Sequence, residues 1–428
     1  MSDPLAAVFA DERIAKAACE TTWHAASDAP DVLAKLAESE PLVPALGELM
    51  RGQVPVMRRW QFGDVGPYVR PDRHVRAMYL DLRRLDAART AGGCIAIKGG
   101  EALCDNFEQI VERLGAMWNI YAWVLGTSTR QLMIDPGMLS ALERFPVVEG
   151  KPPGVHPHWD AEQEALCALE LQRAHLARYG TLARTPIPLA VARWPAAVAD
   201  RIMGILEPSL SPKAKRTVKN ELDAGLGVYV YYYPCVPIRV AHIQAPDATD
   251  GAAHARRMAA LRELCDPAET VDRWIDLTAR VLALGYVATD PANLNRGYCV
   301  QPQNLVLDGG FVDVNSIRAI DTFMAEGEFR FQLHRTIQAL ATSLTWFVAG
   351  SIGGMHETPL HYAEVHARTW TAVTERIPKV ANGALHPWLA SALAARPLFD
   401  ALTDSVGQYV GLSQYHPTDR EATSYRAR

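Results

Sequence analysis

The run Gly227-Val-Tyr-Val-Tyr-Tyr-Tyr233, closed by Pro234-Cys-Val-Pro237, constrains the fold of this chain more than any other stretch. β-branched and aromatic residues favour strands, and a stripe of rings from Tyr229 to Tyr233 is core material. Proline cannot donate to a strand ladder, so the two prolines force a break, with a turn or hinge before a second strand through Ile238-Arg-Val-Ala-His-Ile243.

The chain changes character across that break. Upstream, residues 73–82 alternate with Val75, Ala77 and Tyr79 on one side, and Cys94-Ile-Ala-Ile97 stops abruptly at Lys98 and two glycines, so both read as strands. Residues 5–50 read as helical, as do Asn106 to Leu125 with Phe107, Ile110, Leu114, Met117 and Tyr121 at helical spacing, and 196–224. The Pro and Gly clusters in 147–165 and 180–195 read as connections. Downstream, Asp266-Pro-Ala-Glu269 supplies an N-cap, a proline at the first helical position and an acid two residues on, which opens a helix running to Gly285. Another helix spans Phe329 to Val348, with Leu333, Ile337, Leu340 and Leu344 on its buried face. The expected fold class is α+β, bilobal, with a small β-rich N-lobe and a larger helical C-lobe. The expected divisions are 1–55 as a helical extension, 56–243 as the N-lobe with a helical insertion at about 131–225, and 244–428 as the C-lobe.

Composition narrows the function classes. With 43 Lys plus Arg against 48 Asp plus Glu, the net charge is −5, which argues against a chain that grips nucleic acid or an acidic bilayer over a broad face. The apolar stretch around Leu340 to Ile352 is interrupted by Thr, Ser and Gly, and the acidic start at Asp3, Asp11 and Glu12 is unlike a signal peptide. The seven cysteines contain no Cys-x-x-Cys pair, suiting neither a zinc site nor a disulfide framework. The expectation is a cytoplasmic protein with reduced thiols and neither nucleic-acid nor membrane partners.

Three elements in order suggest nucleotide chemistry. A strand ending in Lys98 is placed to turn its ammonium towards phosphate; Asp290-Pro-Ala-Asn-Leu-Asn295 has the Asp-x-x-x-x-Asn spacing of a kinase catalytic loop; and Asn304-Leu-Val-Leu-Asp308-Gly-Gly puts an Asp at the end of a short apolar strand, where kinases keep a metal-binding Asp. ATP with Mg²⁺ needs an Asp and an Asn on the metal and a Lys on the phosphates. Each element has a plainer alternative. Lys98 can be a surface lysine, Arg239 the partner of an acid across two strands, Asp290 a turn former before Pro291, and Asp308 the start of an ordinary β-turn.

In this order the motifs resemble the selenoprotein O family, kinase-like enzymes that transfer AMP from ATP to protein hydroxyls. Gln61-Phe-Gly63 with Pro71-Asp-Arg73, Lys98-Gly-Gly100, Leu125-Gly126 through Thr129-Arg130, Ile238-Arg-Val-Ala-His242, Gly285-Tyr286, Asn295 and Leu307-Asp-Gly-Gly-Phe311 are similar to that family's motifs. The resemblance implies ATP and Mg²⁺ as cofactors, Lys98, Arg73 and Arg239 on the nucleotide, and Asn295 and Asp308 on the metal. It also implies a helix acid, Glu112 or Glu108, paired with Lys98. Asp290, which stands where ordinary kinases keep their catalytic Asp and this family does not, would accept the proton of a hydroxyl on an acceptor that is either a protein or a small molecule. The chain departs from the family at Leu294, where the family has an Asp, at Tyr232, near a second phosphate-binding Arg, and in a glycine-rich loop replaced by Arg70-Pro-Asp72. AMP transfer, γ-phosphoryl transfer and nucleotide binding without turnover all remain open on these residues.

Among the remaining signals, His156-Pro-His158 reads as an exposed, idle pair in a Pro-rich loop. Lys213, Lys215, Arg216 and Lys219 read as the solvated face of one helix.

Overall fold

The computed structural model describes residues 3–71, 77–86, 92–109, 156–209, 212–240, 261–288, 304–349 and 359–394, with the single positions 259 and 300. The chain divides into two compact units, the first made of Met1–Ile120 and Gly137–Val236, the second of Tyr121–Pro136 and Pro237–Arg428.

The first unit begins with α1 (Pro4–Ala7), β1 (Ile14–Ala18), β2 (Glu20–His24), α2 (Ala25–Asp28), α3 (Pro30–Ser39), α4 (Val43–Leu49) and β3 (Gln53–Met57). It continues with β4 (Gly63–Val65), β5 (Tyr68–Arg70), β6 (Ala77–Asp81), α5 (Leu82–Leu85) and β7 (Cys94–Lys98). After the undescribed stretch come α6 (His158–Tyr179), β8 (Ile187–Arg193), α7 (Ala196–Leu206), α8 (Pro212–Asp223) and β9 (Gly227–Tyr233). Seven strands form one antiparallel sheet in the order β2-β8-β9-β7-β6-β5-β4, while β1 pairs with β3 alone.

The tyrosine-rich strand lies at the centre of this sheet, between β7 and β8, and all seven of its residues are buried. Its pairing fixes the faces. Lys98 stands opposite Tyr229, Ala96 opposite Tyr231 and Cys94 opposite Tyr233, so these six share one face, and Ile95, Ile97, Val230 and Tyr232 share the other.

Two expected divisions change. Residues 1–55 are not a helical extension, because β2 is the edge strand of the main sheet and β1 and β3 form a ribbon. Nor are 158–225 an insertion: β8 is an inner strand beside β9, and α6 packs on both. Periodicity misses β8 because Pro186 precedes it and Pro188 is its second residue, and the connections read at 147–165 and 180–195 therefore hold the start of α6 and all of β8. Of the helix expected from Asn106, only its first residues are described.

The second unit contains α9 (Pro267–Ala283), β10 (Tyr286–Val287), β11 (Arg318–Ala319), α10 (Glu326–Ala349), α11 (Pro359–Val380) and α12 (Pro387–Ala394). Asp266 caps α9 by accepting from the backbone N–H groups of Ala268 and Glu269, and Gly285 follows the helix at φ +88°. Helices α9, α10 and α11 pack together around Trp274, Leu333, Ile337, Leu340 and Val373. The molecule is thus a mixed α+β protein. Among the described residues no helix is long and apolar enough to cross a membrane.

Candidate functional site

In the first unit the site is built around the end of β7. Lys98 is the last residue of that strand, and Gly99 follows at φ +99°, a conformation that glycine adopts without a side-chain clash. A Cβ at Gly99 would lie 2.5 Å from the carbonyl oxygen of Gly227 and 2.7 Å from Cβ of His156. The close approach has a purpose in the fold. His156 and Pro157 run alongside the start of β9, through Gly227 N–H to His156 C=O (2.8 Å) and a bridge between Pro157 and Leu226, and they deliver the N-terminus of α6 beside Lys98.

Nζ of Lys98 donates to Oε2 of Glu164, in the second turn of α6, at 2.6 Å. The Glu164 side chain is fully buried and that of Lys98 nearly so. His156 is buried too: its Nε2 lies 3.8 Å from Oε2 of Glu164, and its Nδ1 lies 3.7 Å from Oδ2 of Asp160, one turn earlier on the helix. The buried acid on Lys98 is therefore Glu164. Glu108 is exposed, and Glu112 lies outside the described residues. The signal for Glu164 was helical: Ala161, Ala165 and Ala168 repeat around it, and a His-Pro opening reads as a loop only until the helix behind it is recognised.

His158 is likewise buried, against the expectation of an exposed, idle pair. Its ring contacts the Thr22 hydroxyl at 2.9 Å and Nη2 of Arg193 at 3.2 Å, tying α6 to the sheet edge, and burial lowers its pKa below the ordinary histidine value.

Arg73 lies outside the described residues. Arg70, read as part of a degraded phosphate loop, is instead buried at the end of β5 in an ion pair with Glu101 at 2.8 Å. Loss of solvent raises the Glu101 pKa, and the Arg70 guanidinium opposes that rise. Tyr232 is on the face opposite Lys98, with its hydroxyl donating to Glu40 at 3.0 Å, so this position supplies nothing to a phosphate near Lys98.

In the second unit the relevant element is a short hairpin. Leu305 bridges Phe311, Val306 N–H donates to Gly310 C=O, and Val312 N–H donates to Asn304 C=O. Asp308 sits at its tip. Its Oδ1 accepts from Gly310 N–H at 2.9 Å, and Arg273 packs so tightly on Gly309 that a Cβ there would come within 2.3 Å of it. The turn-forming alternative describes the geometry of Asp308. The other expected metal ligand, Asn295, and the expected base, Asp290, lie outside the described residues.

The base of the hairpin holds a different pair. Asn304 and Asp313 end its two arms, and Asp313 adopts φ +53°, ψ +56°, a left-handed conformation uncommon for residues other than glycine. Oδ2 of Asp313 accepts from Nη1 of Arg239 at 2.9 Å. Arg239 itself bridges Val306, with Ile238 and Val240 bonded to Leu307 and Leu305, so the post-hinge segment adds a strand to the hairpin. Arg239 thus takes the acid partner that the plainer alternative gave it, and the acid belongs to the hairpin that carries Asn304.

Among the described residues no three His, Cys, Asp or Glu side chains converge as a metal cage. Mg²⁺ does not require one, since it is commonly held by one or two protein oxygens together with phosphate oxygens and water. The side chains of Asn304 and Asp313 are hard oxygen donors of that kind. A scan against protein-family models and searches of curated proteins and of solved structures return no match for this chain.

Proposed function

We propose that the chain is an ATP- and Mg²⁺-dependent transferase of kinase-like, bilobal architecture, akin to selenoprotein O, that moves AMP from ATP to a hydroxyl of a protein or small molecule. The observation that carries this reading is the buried Lys98–Glu164 pair. Strands β5, β6 and β7 form a meander, the lysine ends its third strand, and helix α6 presents the acid. In protein kinases a strand lysine that contacts the nucleotide phosphates is held by a helix glutamate in the same manner.

The second unit adds supporting chemistry. Asn304 and Asp313, at the base of one hairpin, would hold Mg²⁺, which supplies charge neutralisation on the phosphates when bound. Asp308, at the tip, spends Oδ1 on its own turn, so this reading gives the metal to the base of the hairpin rather than to its tip. Arg239 holds the Asp313 carboxylate in place and, when nucleotide is present, is a second cation for phosphate. Asp290 remains the proposed base.

A second reading, γ-phosphoryl transfer, is favoured by Tyr232. With that position turned away from Lys98 and engaged by Glu40, the second phosphate-binding arginine of the resembled family has no substitute there. The test is incubation with Mg²⁺ and ATP labelled at either the α or the γ phosphate in a lysate, followed by mass analysis of labelled products. Label from the α position in an adduct supports AMP transfer; label from γ alone replaces it with a kinase. Label from neither, in the presence of nucleotide-dependent thermal stabilisation, leaves a nucleotide-binding protein without turnover.

A further inference from the structure

Two cysteines meet where β7 begins and β9 ends. Cys94 opens β7, flanked across the sheet by Asp81 of β6 and Tyr233 of β9, and it is fully buried. Cys235 follows β9 by two residues, is half-buried, and belongs to the segment Pro234-Cys-Val-Pro237 by which the chain leaves the first unit. The Cys94 thiol donates to the carbonyl oxygen of Cys235 at 2.9 Å, so the sulfur of one cysteine touches the backbone of the other.

The charge around them is not neutral background. Arg83 is clamped by Asp81, with Nε to Oδ1 at 3.2 Å and Nη2 to Oδ2 at 3.0 Å, and it interacts electrostatically with both sulfurs. Arg84 also lies near Asp81, at 3.7 Å. A cation held beside a thiol favours the thiolate, the form that reacts with peroxides and disulfides. Burial pushes the Cys19 thiol up to about 11 and that of Cys104 up to about 12, and raises that of Cys265; Cys94 is itself fully buried as the thiol donor to Cys235, so the less buried Cys235 is the member of the pair that an oxidant meets first.

We propose that Cys94 and Cys235 are a redox modification site, closed to an intramolecular disulfide by hydroperoxides and reopened by dithiols. The more accessible Cys235 thiolate attacks one peroxide oxygen, breaking the O–O bond and forming a sulfenic acid with release of hydroxide. The Cys94 sulfur then attacks the Cys235 sulfur, forming the S–S bond as the sulfenic oxygen leaves as water. The two thiols lose two electrons in all, peroxide gains them, and the thiol protons end in water. The bond would fix the inter-unit segment to the strand that carries Lys98, four residues from the lysine. The site stands on its own geometry and does not depend on the proposed transferase activity.

The test uses the full chain treated with a small molar excess of hydrogen peroxide, blocked with an alkylating agent, digested without reduction and analysed by mass. The expected product is a peptide pair joining Cys94 to Cys235, lighter by two hydrogen atoms and restored to two alkylatable thiols by dithiothreitol. In Cys94→Ser the sulfenic acid should persist on Cys235 and be trapped by dimedone. Should that buried substitution prevent folding, Cys235→Ser, at the half-buried position, should leave Cys94 an alkylatable thiol at the same peroxide dose. Two intact thiols after treatment, or oxidation that falls first on Cys19, Cys104 or Cys265, overturns the proposal.

Discussion

Nζ of Lys98 lies 2.6 Å from Oε2 of Glu164, and the two side chains are buried together between the end of a strand and the second turn of a helix. Removing one member strands the other charge away from water, which costs about 3–5 kcal/mol for buried pairs of this kind. Glu164→Ala should therefore lower the melting temperature by roughly 10 °C, at about 2–4 °C per kcal/mol for a unit of this size. Replacing both, as Lys98→Met with Glu164→Leu, should recover most of that loss while leaving no ATP turnover. Thermal unfolding and turnover of the two single variants and the double variant are the measurements. Equal melting of all three with the parent would show that the pair is not a buried one.

The hairpin separates two aspartates that sequence alone treats alike. Asp308 closes its own turn, so Asp308→Ala should cost about 1 kcal/mol of stability, the worth of a lost turn hydrogen bond, and leave Mg-ATP binding intact. Asp313→Ala should bind Mg-ATP at least tenfold more weakly and abolish turnover while the fold survives. Calorimetric titration of each variant with Mg-ATP decides between them. The opposite pattern, with Asp308 essential and Asp313 dispensable, would return the metal to the tip of the hairpin.

What the sequence disclosed and what it hid follow from the range of the interactions. The cap at Asp266, the stop at Gly285, the buried face of α10 and the break after Tyr233 are local, and each can be derived from residues within a few positions of one another. The Lys98 strand was legible for the same reason. Its acid was not, because Glu164 is 66 positions away in sequence and is brought in by backbone contacts of His156 and Pro157 that no periodicity encodes. Strand β2 was hidden for a similar reason, since its partner β8 lies more than 160 residues downstream. The aspartates show the converse. The Asp-Gly-Gly turn was the most conspicuous motif in its neighbourhood, and conspicuousness came from turn chemistry, whereas Asp313 has no local pattern and is marked only by its left-handed backbone and Arg239.

Gly99 tests whether the site depends on backbone contact as well as on charge. Its φ of +99° disfavours any side chain, and an added Cβ would meet Gly227 O and His156 Cβ well inside contact distance. Gly99→Ala should therefore displace the His156–Pro157 segment and with it Glu164, lowering stability by about 2–4 kcal/mol through strain and overpacking. Chemical denaturation measures the loss. A variant as stable as the parent would show that this segment yields, and that Glu164 does not owe its position to it.

The helical unit carries its own acid sensitivity in His334. On α10, the ring stacks on Trp370 of α11 at 4.4 Å between centroids, with the planes 17° apart, and burial lowers its pKa to about 4. Above the unfolded-state value of 6.5 the ring is neutral in both states and contributes nothing to the pH dependence. As the pH falls from 6.5 towards 4 the unfolded chain takes up a proton that the folded chain refuses, so stability declines across that window and levels off below it. Integrated over the shift, the loss reaches about 3 kcal/mol at 1.36 kcal/mol per pH unit. His334→Phe keeps an aromatic ring against Trp370 and removes the titration. Urea unfolding at pH 7.5 and pH 4.5 should show the parent losing about 2.5 kcal/mol more than this variant between the two conditions, most of the full loss. Equal losses would mean that the imidazole is protonated in the folded protein and that the stacking against Trp370 does not exclude its charge.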